Sequence, residues 1–331
     1  MRAAVIGGGA WGTALAHVLA SRGHATVLWA REPDVVEHIN TTHANPRFLA
    51  GATLHEELRA SGEMGAVLAG AECVVYAAPS HVLRAVVRAG AREVPEAATL
   101  VVATKGIERN TLALMTDVVA EELPGRAVVA LSGPSFAQEV VHGQPTAVVA
   151  ASVHREAREA VQRAFSGGPL RLYTSEDVTG VELGGALKNV MAVATGIAEG
   201  VGLGLNSRAA LITRGLAEMI RLGVSVGARV ETFAGLAGMG DLVLTCTGAL
   251  SRNRSVGIAV GQGTALADVL ASTESVAEGV VTTTSALALA ERQRVDMPIA
   301  RAVSRVLFES ASARDVVAEL MGRELRPERD G

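Results

Sequence analysis

The chain has 331 residues, of which 49% are hydrophobic, with a formal net charge of -4 and a pI near 6.1. This length suffices for two domains of ordinary size, and the acidic balance argues against a nucleic-acid partner, which usually requires a basic surface. Two cysteines are too few for a disulfide framework, and glycines interrupt the apolar N-terminal stretch, so we expect a soluble cytoplasmic protein without membrane insertion.

Short apolar runs alternate with helical stretches through the first half of the chain, for example the helices predicted at 13–22 and 82–90. Most of these runs are almost continuously apolar, as is typical of parallel strands covered on both faces. The rhythm predicts an α/β fold, with a Rossmann-type doubly wound sheet. The six predicted strands are residues 3–7, 25–30, 73–78, 99–104, 127–132 and 146–151.

A glycine-rich turn, GGGAWG, separates the first predicted strand from the first predicted helix. It matches the GxGxxG pattern of dinucleotide-binding folds. We expect Gly7 to permit the tight turn, Gly9 to admit a pyrophosphate, and Gly12 to let the helix pack closely on the sheet. The alternative is a glycine-rich turn without a ligand, but strand, helix and spacing together favour a dinucleotide site.

The second predicted strand ends in Ala30-Arg31-Glu32, where the ribose of a dinucleotide would lie. Arg31 favours NADP, because a guanidinium at this position can pair with the 2′-phosphate. Glu32 leaves NAD open, because an acid here can bond the 2′-hydroxyl. The sequence therefore favours NADPH without excluding NADH, and a merely solvated Arg31 is the alternative.

Polar residues follow the other predicted strands, at the sheet edge where open α/β folds bind their ligands. Strand 73–78 is followed by Pro79-Ser80, strand 99–104 ends beside Lys105, and strand 127–132 ends in Ser132-Gly133-Pro134-Ser135. We expect these groups to converge near the nicotinamide. For Lys105, a surface position is the alternative.

Beyond about residue 175, long amphipathic stretches replace the strands, which predicts an all-α C-terminal domain. We expect an NAD(P)-binding domain at 1–178 and a helical, substrate-binding and catalytic domain at 179–331. No stretch has the spacing of metal ligands, and no metal is expected. The longest amphipathic stretches are 181–199, 208–228, 254–262, 282–292 and 298–309.

Lys188 lies off the apolar stripe of VELGGALKNV, on a helix face that it shares with Gly184 and Gly185. Glycines inside a helix are costly, so either another backbone packs there or a small molecule reaches the amine. Farther along the chain, Asp241 and Thr245 are four residues apart and share a helix face. Asp241 is alternatively a plain N-cap, and Arg252 is either a phosphate ligand or a solvated charge.

Seven segments, in order from residue 1 to about 325, resemble bacterial NAD(P)-dependent glycerol-3-phosphate dehydrogenases. The resemblance implies reversible reduction of dihydroxyacetone phosphate to sn-glycerol 3-phosphate, a precursor of glycerophospholipids, by a homodimer. The matching segments are GGGAWGTALA, ATKG, LSGPSFAQEV, GGALKNV, AALITRGLAEM, GLAGMGDLVLTCTG and LSRNR.

The resemblance assigns roles residue by residue. Lys188 is the implied general acid/base, and the glycines beside it would let a three-carbon substrate approach its amine. The lysine and the substrate would be oriented by Asn189, Asp241 and Thr245. Lys105 would touch both cofactor and substrate, and the glycerol phosphate would be held by Gly133, Ser135, Ser251, Arg252 and Asn253. The remaining cofactor positions match Trp11, Arg31, Ala137, Arg252, Val276 and Glu278.

Two segments depart from the family pattern. EGVGLGLNSRA at 199–209 lacks the acid that usually precedes Asn206, and NPRFLAG at 45–51 is a loose match to NxxYLPG. Lys105 and Arg252 would lower the pKa of Lys188 while Asp241 would raise it, so its direction is open. Two rival hypotheses are a 6-phosphogluconate or β-hydroxyacid dehydrogenase-like enzyme and a non-catalytic dinucleotide sensor.

Overall fold

A computed structural model describes residues 1–272, 277–324 and 327–328. The strands found in them are β1 Arg2–Ile6, β2 Ala25–Trp29, β3 Arg59–Ser61, β4 Cys73–Tyr76, β5 Thr99–Val102, β6 Val128–Ser132, β7 Thr146–Ala151 and β8 Leu170–Ser175. They form one sheet in the order β3-β2-β1-β4-β5-β6-β7-β8. All neighbours are parallel except β6 and β7, which confirms the predicted doubly wound sheet.

The sheet contains two strands that the sequence did not predict, β3 and β8, and the predicted strand β7 runs, together with β8, against the direction of the others. β3 has only three residues, too few for a periodic signal. β8 alternates buried Leu170 and Leu172 with exposed Arg171 and Tyr173, the pattern of an edge strand rather than of a buried parallel one. The chain reverses in residues 133–145, so β7 runs antiparallel to β6.

Helices cover both faces of the sheet. The first begins at Ala10 rather than at the predicted Thr13, because the Thr13 N–H donates to Gly9 O at 2.9 Å and so closes the first helical turn. The glycine-rich turn therefore runs directly into the helix. The helices of this part are α1 Ala10–Ser21, α2 Pro33–Thr42, α3 Met64–Leu68, α4 Leu83–Gly90, α5 Met115–Glu122, α6 Ala137–Val141 and α7 Arg155–Phe165.

The hydrophobic core of this part lies on both sides of the sheet, and strand β1 contributes side chains to both sides. Ala3 and Val5 contribute to an apolar cluster with α1 and α7, whereas Ala4 and Ile6 contribute to another with α4 and α5. Successive side chains of a strand point to opposite faces, so an all-apolar strand fills both clusters. The carboxyl ends of the strands are thereby held rigidly between two helical layers.

The rest of the described chain is helical, as predicted, and packs around the long central helix α8. Asp177 caps this helix by accepting the Gly180 N–H at 2.9 Å. None of the helices in the described residues has the length and apolar character that crossing a membrane requires. The helices are α8 Val178–Gly200, α9 Leu205–Ser225, α10 Val230–Ala234, α11 Asp241–Thr247, α12 Arg252–Gly261, α13 Leu266–Ala271, α14 Glu278–Gln293, α15 Pro298–Phe308 and α16 Ala313–Met321.

Helices α8 and α12 touch through their backbones. A Cβ on Gly257 would lie 2.3 Å from Val193 O, and one on Gly196 would lie 2.2 Å from Arg254 O. Glycine is therefore required on both sides of the contact. Because no flexible side chain intervenes, this contact fixes the position of α12 relative to the C-terminal half of α8.

Candidate active site

The candidate site lies where the ends of β5 and β6 meet the helical part of the chain. Lys105 follows β5, and Gly133 follows β6. Helix α8 packs on the end of β6 so closely that a Cβ on Gly185 would lie 2.5 Å from Ser132 Oγ. Residues far apart in sequence, from the sheet and from two helices, thus surround one point.

Lys188 lies in the middle of α8, and only 7% of the residue is exposed. Its Nζ donates to Asp241 Oδ1 at 2.6 Å and to Thr245 Oγ1 at 2.7 Å. Both acceptors belong to α11, one turn apart. An ammonium has three donors, so one N–H of Lys188 remains without a partner among the described residues.

Lys105 shares the same carboxylate. Its Nζ donates to Asp241 Oδ2 at 2.6 Å and to Gly133 O at 3.2 Å. These two are the only lysines among the 30 Lys and Arg residues of the chain, since every other such residue is arginine. Asp241 therefore holds both ammonium groups of the sequence side by side, and it does not act as the N-cap of α11, which is Gly240.

The environment of Lys188 shifts its titration. Burial lowers the pKa of Lys188 to about 8, because the ammonium loses its hydration. Asp241 opposes this by favouring the charged form, and Lys105 lowers the pKa further. The pKa of Lys188, whose direction of shift the sequence left open, is therefore lowered, mainly by burial. Such a pKa lets one amine serve as proton donor and acceptor near neutral pH.

A second set of polar contacts ties α8 to α12 and α14. Asn253 Nδ2 donates to Asn189 Oδ1 at 2.8 Å, and Asn253 Oδ1 accepts the Gly279 N–H at 2.9 Å. Asn189 Nδ2 in turn donates to Gly185 O at 3.2 Å. Both asparagines are buried. Asn189, which follows Lys188, is thereby hydrogen-bonded to Asn253, which follows Arg252.

The start of α12 presents the predicted phosphate-binding residues. Ser251 is its N-cap and accepts the Arg254 N–H at 3.3 Å, while Arg252 is exposed at the first helical position. Arg254 is anchored by Glu199 at the end of α8, with contacts of 2.7 to 3.0 Å. A helix N-terminus with an exposed arginine is a suitable place for a phosphate.

Gly133 and Ser135 lie on the other side of the site, in the turn after β6. Gly133 has φ of +144°, and a Cβ there would lie 2.9 Å from Val148 Cα, so only glycine fits. Ser135 Oγ donates to Gly133 O at 3.0 Å. The same carbonyl accepts from Lys105, so the turn is connected directly to the lysine pair.

The glycines beside Lys188 do not leave open space, which corrects the expectation that they admit the substrate. A Cβ on Gly184 would lie 2.3 Å from Ala237 O, in the π-helical turn that precedes α11. The space at Gly185 is occupied by Ser132 and the stem of Lys105. The other interpretation holds at Gly184, which lets a second backbone approach α8 and brings Asp241 within reach of Lys188, while Gly185 makes room for two side chains.

The glycine-rich turn after β1 has one open side. A Cβ on Gly9 would meet nothing within 4 Å, whereas one on Gly12 would lie 2.0 Å from Gly7 O. Gly7 has φ of +130° and lies against Ala77 at the end of β4. Trp11 packs against the core of the sheet, and its Nε1 is buried without a hydrogen-bond partner in the described part of the chain. Gly9 is thus the point where a ligand can approach the backbone.

At the tip of β2, the two residues proposed to read the ribose bind each other. Arg31 Nη2 donates to Glu32 Oε1 at 2.9 Å, and the two side chains are 82% and 16% exposed. Arg31 therefore offers its guanidinium to the solvent, and a 2′-phosphate would compete with Glu32 for it. The preference between the two dinucleotides stays a prediction.

The remaining predicted cofactor positions are distributed around the same edge. Ala137 is the first residue of α6. Glu278, the first residue of α14, accepts the Ser80 N–H at 3.1 Å and the Ser80 Oγ–H at 2.6 Å, and burial raises the pKa of its carboxyl. Glu278 therefore closes the site against the end of β4. Val276 lies outside the described residues.

Sequence reasoning missed the supports of this site. Glu199 lies in a segment noted above only for its departure from the family pattern. Besides binding Arg254, its carboxylate accepts a hydrogen bond from Arg208 Nη2 at 2.6 Å. Asn45, in the other departing segment, is fully buried and donates to Gly8 O at 2.9 Å. The available signal for Asn45 was that it matches the family pattern in a segment that otherwise departs from it. Its hydrogen-bond partners, however, are distant in sequence.

Comparison with known proteins finds relatives over nearly the whole chain. The family signatures described as the N-terminus and C-terminus of NAD-dependent glycerol-3-phosphate dehydrogenase match residues 2–158 and 177–318. A glycerol-3-phosphate dehydrogenase [NAD(P)+] of Syntrophotalea carbinolica is 52% identical, with all of each chain covered. That of Geobacter sulfurreducens is 53% identical, with 99% of each chain covered.

Solved structures show the same architecture. A crystal structure of glycerol-3-phosphate dehydrogenase from Coxiella burnetii superimposes with a TM-score of 0.94, at 38% identity, covering 97% of this chain and 99% of the other. The likeness thus extends over both the sheet and the helical part, with sequence identity well above that of a shared fold alone. The chain belongs to the NAD-dependent glycerol-3-phosphate dehydrogenase family.

Proposed function

We propose that this protein reduces dihydroxyacetone phosphate to sn-glycerol 3-phosphate with NADPH or NADH, reversibly, and so supplies glycerophospholipid synthesis. The observation that carries the proposal is the pair of lysines, the buried Lys188 and the partly buried Lys105, on the one buried carboxylate of Asp241, beyond the ends of β5 and β6. A carbonyl oxygen placed there meets two cations, one of which has a pKa of about 8. The family relationship supports the same reaction.

The residues around the glycine-rich turn fit a dinucleotide. Gly9 has space on its open side, and the Gly9 N–H has no partner among the described residues. The cofactor would be held there and by the positions assigned above: Trp11, Arg31, Lys105, Ala137, Arg252 and Glu278. When bound, the reduced nicotinamide supplies the hydride. We propose NADPH as the preferred form, because Arg31 is exposed at the tip of β2.

Lys188 is the proposed general acid. Its ammonium donates a proton to the substrate's carbonyl oxygen as that oxygen gains negative charge, and the neutral amine removes the proton from the hydroxyl in the reverse direction. Asp241 and Thr245 hold Nζ in place for both directions. The second ammonium, that of Lys105, stabilises the developing charge without moving a proton.

The substrate's phosphate would bind at the start of α12. Arg252 is an exposed residue that supplies a guanidinium there, and Ser251 and Asn253 flank it. Gly133 and Ser135 would contact the substrate from the opposite side. We propose that residues 1–178 bind the cofactor and that residues 179–331 provide the phosphate contacts and the acid/base. The backbone contact between α8 and α12 then sets the span between Lys188 and Arg252.

The test is direct. Purified protein is mixed with dihydroxyacetone phosphate, and the absorbance of NADPH and of NADH is followed in parallel. Oxidation of either supports the proposal, and the ratio of the two rates measures the preference. Turnover of a β-hydroxyacid or of 6-phosphogluconate, with dihydroxyacetone phosphate inert, would favour the first rival; cofactor binding without any turnover would favour the sensor.

We also propose that the enzyme is a cytoplasmic homodimer. Both cysteines are free and buried, which suits a reducing compartment, and burial raises the pKa of Cys246 to about 11. The dimer is the assembly that the family resemblance implies. Light scattering after size exclusion should give a mass near twice 34.0 kDa, and a mass of one chain would reject it.

A further inference from the structure

Asn45 is a buried polar residue with no role in the proposed reaction. It is 0% exposed, yet it lies in a loop after α2, far from the glycine-rich turn in sequence. Its Nδ2 donates to Gly8 O at 2.9 Å and to Thr13 Oγ1 at 2.8 Å. Thr13 Oγ1 in turn donates to Gly8 O at 3.3 Å. Two side chains therefore converge on one carbonyl of the glycine-rich turn.

The orientation of the Asn45 amide is fixed by what surrounds it. Its Oδ1 accepts the Phe48 N–H at 3.2 Å, and Asn45 O accepts the Leu49 N–H at 2.8 Å. A rotated amide would place Nδ2 against an N–H and Oδ1 against a carbonyl. The donors of Asn45 therefore face Gly8, and the turn at 45–49 holds them there.

The bond to Gly8 O determines the direction of the next N–H. The chain has no cis peptide in its described part, so the C=O of Gly8 and the N–H of Gly9 point in opposite directions. Because Asn45 holds the carbonyl toward the protein interior, the Gly9 N–H points outward. There it has no partner among the described residues, and the space beside Gly9 is open.

We propose that Asn45 is a positioning residue of the cofactor site, which fixes the Gly8–Gly9 peptide so that the Gly9 N–H binds the pyrophosphate. This inference rests on the dinucleotide binding of the proposed function. Without Asn45 the peptide is free to turn, and a carbonyl oxygen, which repels phosphate, then competes for the same position. Asn45 thus acts on the cofactor through the backbone rather than by contact.

Asn45→Asp is the sharpest test. The change keeps the shape and the acceptor for Phe48 but replaces the donor that faces Gly8 O by an oxygen. Asn40→Asp is the matched control, because Asn40 Nδ2 donates to Ala60 O at 2.9 Å and its Oδ1 accepts the Ala60 N–H at 2.9 Å, away from the glycine-rich turn. Both variants therefore lose a donor to a backbone carbonyl in the same part of the fold.

Dissociation constants are measured by titration calorimetry for NADPH, for ADP-ribose and for adenosine 2′-phosphate, which lacks the pyrophosphate. We expect Asn45→Asp to weaken NADPH and ADP-ribose about tenfold, the effect of one hydrogen bond to a charged group. Binding of adenosine 2′-phosphate, and the KM for dihydroxyacetone phosphate at saturating NADPH, should stay within about twofold of wild type. Asn40→Asp should leave all four constants unchanged.

Thr13→Val keeps the test decisive if Asn45→Asp does not fold, since it removes only the hydroxyl that supports Asn45. It should weaken NADPH about threefold, a fraction of one hydrogen bond. The inference is overturned if NADPH affinity is unchanged, if adenosine 2′-phosphate weakens equally, or if Asn40→Asp has the same effect. Failure of the proposed function looks different: wild type would bind NADPH but not reduce dihydroxyacetone phosphate, and the binding constants would still decide the role of Asn45.

Discussion

The absence of a side chain has opposite consequences in the glycine-rich turn after β1 and at the glycines of α8. At Gly9 a Cβ would meet nothing, so the backbone is open to a ligand. At Gly184 and Gly196 a Cβ would collide with the backbone of another segment. The first glycine leaves the backbone open to the proposed cofactor, whereas the others create close packing around the proposed catalytic side chains. Sequence spacing alone does not distinguish these uses, and three substitutions and one pH profile test the distinction.

The largest effect is expected from Lys188→Met, which removes the amine but keeps the apolar stem. Turnover of dihydroxyacetone phosphate should fall by about 100-fold or more, because the carbonyl oxygen loses its proton donor. The circular dichroism spectrum and NADPH affinity should be retained, since the glycine-rich turn is untouched. Turnover within a few-fold of wild type would show that Lys188 is only a buried structural cation.

Gly257→Ala tests the packing glycines. The new methyl group would lie 2.3 Å from Val193 O and 2.9 Å from Gly196 Cα, so α8 and α12 must separate. We expect a loss of about 2 kcal/mol in the free energy of unfolding, typical of an overpacked contact. Urea denaturation measures it. An unchanged midpoint would mean that this contact is looser than the backbone distances indicate.

Gly9→Ala is the contrasting change, because its methyl group has room and φ is -68°. Stability should change by less than about 1 kcal/mol, the range of ordinary surface substitutions. NADPH should bind about tenfold more weakly, since the methyl group occupies the path to the Gly9 N–H and costs one charge-assisted bond. Normal affinity in calorimetry would place the pyrophosphate elsewhere.

The smallest expected effect is a difference in pH dependence between the reaction at Lys188 and the binding of NADPH at the glycine-rich turn. The pKa of Lys188 is about 8, and the proposed reduction needs its protonated form. The kcat/KM for dihydroxyacetone phosphate should therefore fall as pH rises, to half its plateau near pH 8, while oxidation of glycerol 3-phosphate should rise over the same interval. NADPH affinity should stay flat there, because no titrating side chain contributes to the bond at Gly9. A flat reduction rate from pH 7 to 9 would contradict the assignment.

The sequence predicted the fold where its signal was local. Six strands of the sheet and the long helices followed from apolar runs and helical spacing, whereas β8 was missed because Arg171 and Tyr173 interrupt its apolar pattern. Strand β7 was predicted, but its antiparallel direction was not, because strand composition does not encode direction so close to a sheet edge.

The site was predictable only as a set of residue types. Resemblance named Lys188, Asp241 and Lys105, but their joint geometry depends on contacts as distant as 136 positions along the chain. The role of Gly184 was misjudged for the same reason, since the segment that fills its space is the turn before α11. Asn45 was passed over because its partner is a backbone carbonyl, which no sequence pattern displays.

The scarcity of lysine in this chain, in which almost every strongly basic residue is arginine, has a consequence for experiments. A lysine-specific peptidase finds only two sites, after Lys105 and Lys188, and both side chains are largely buried, at 17% and 9% exposure. Cleavage therefore requires local opening of the candidate site, so its rate reports that opening without background from the surface. Protection by a bound ligand would appear directly as slower proteolysis. The same scarcity makes amine-directed labels specific for the site, apart from the chain's N-terminus.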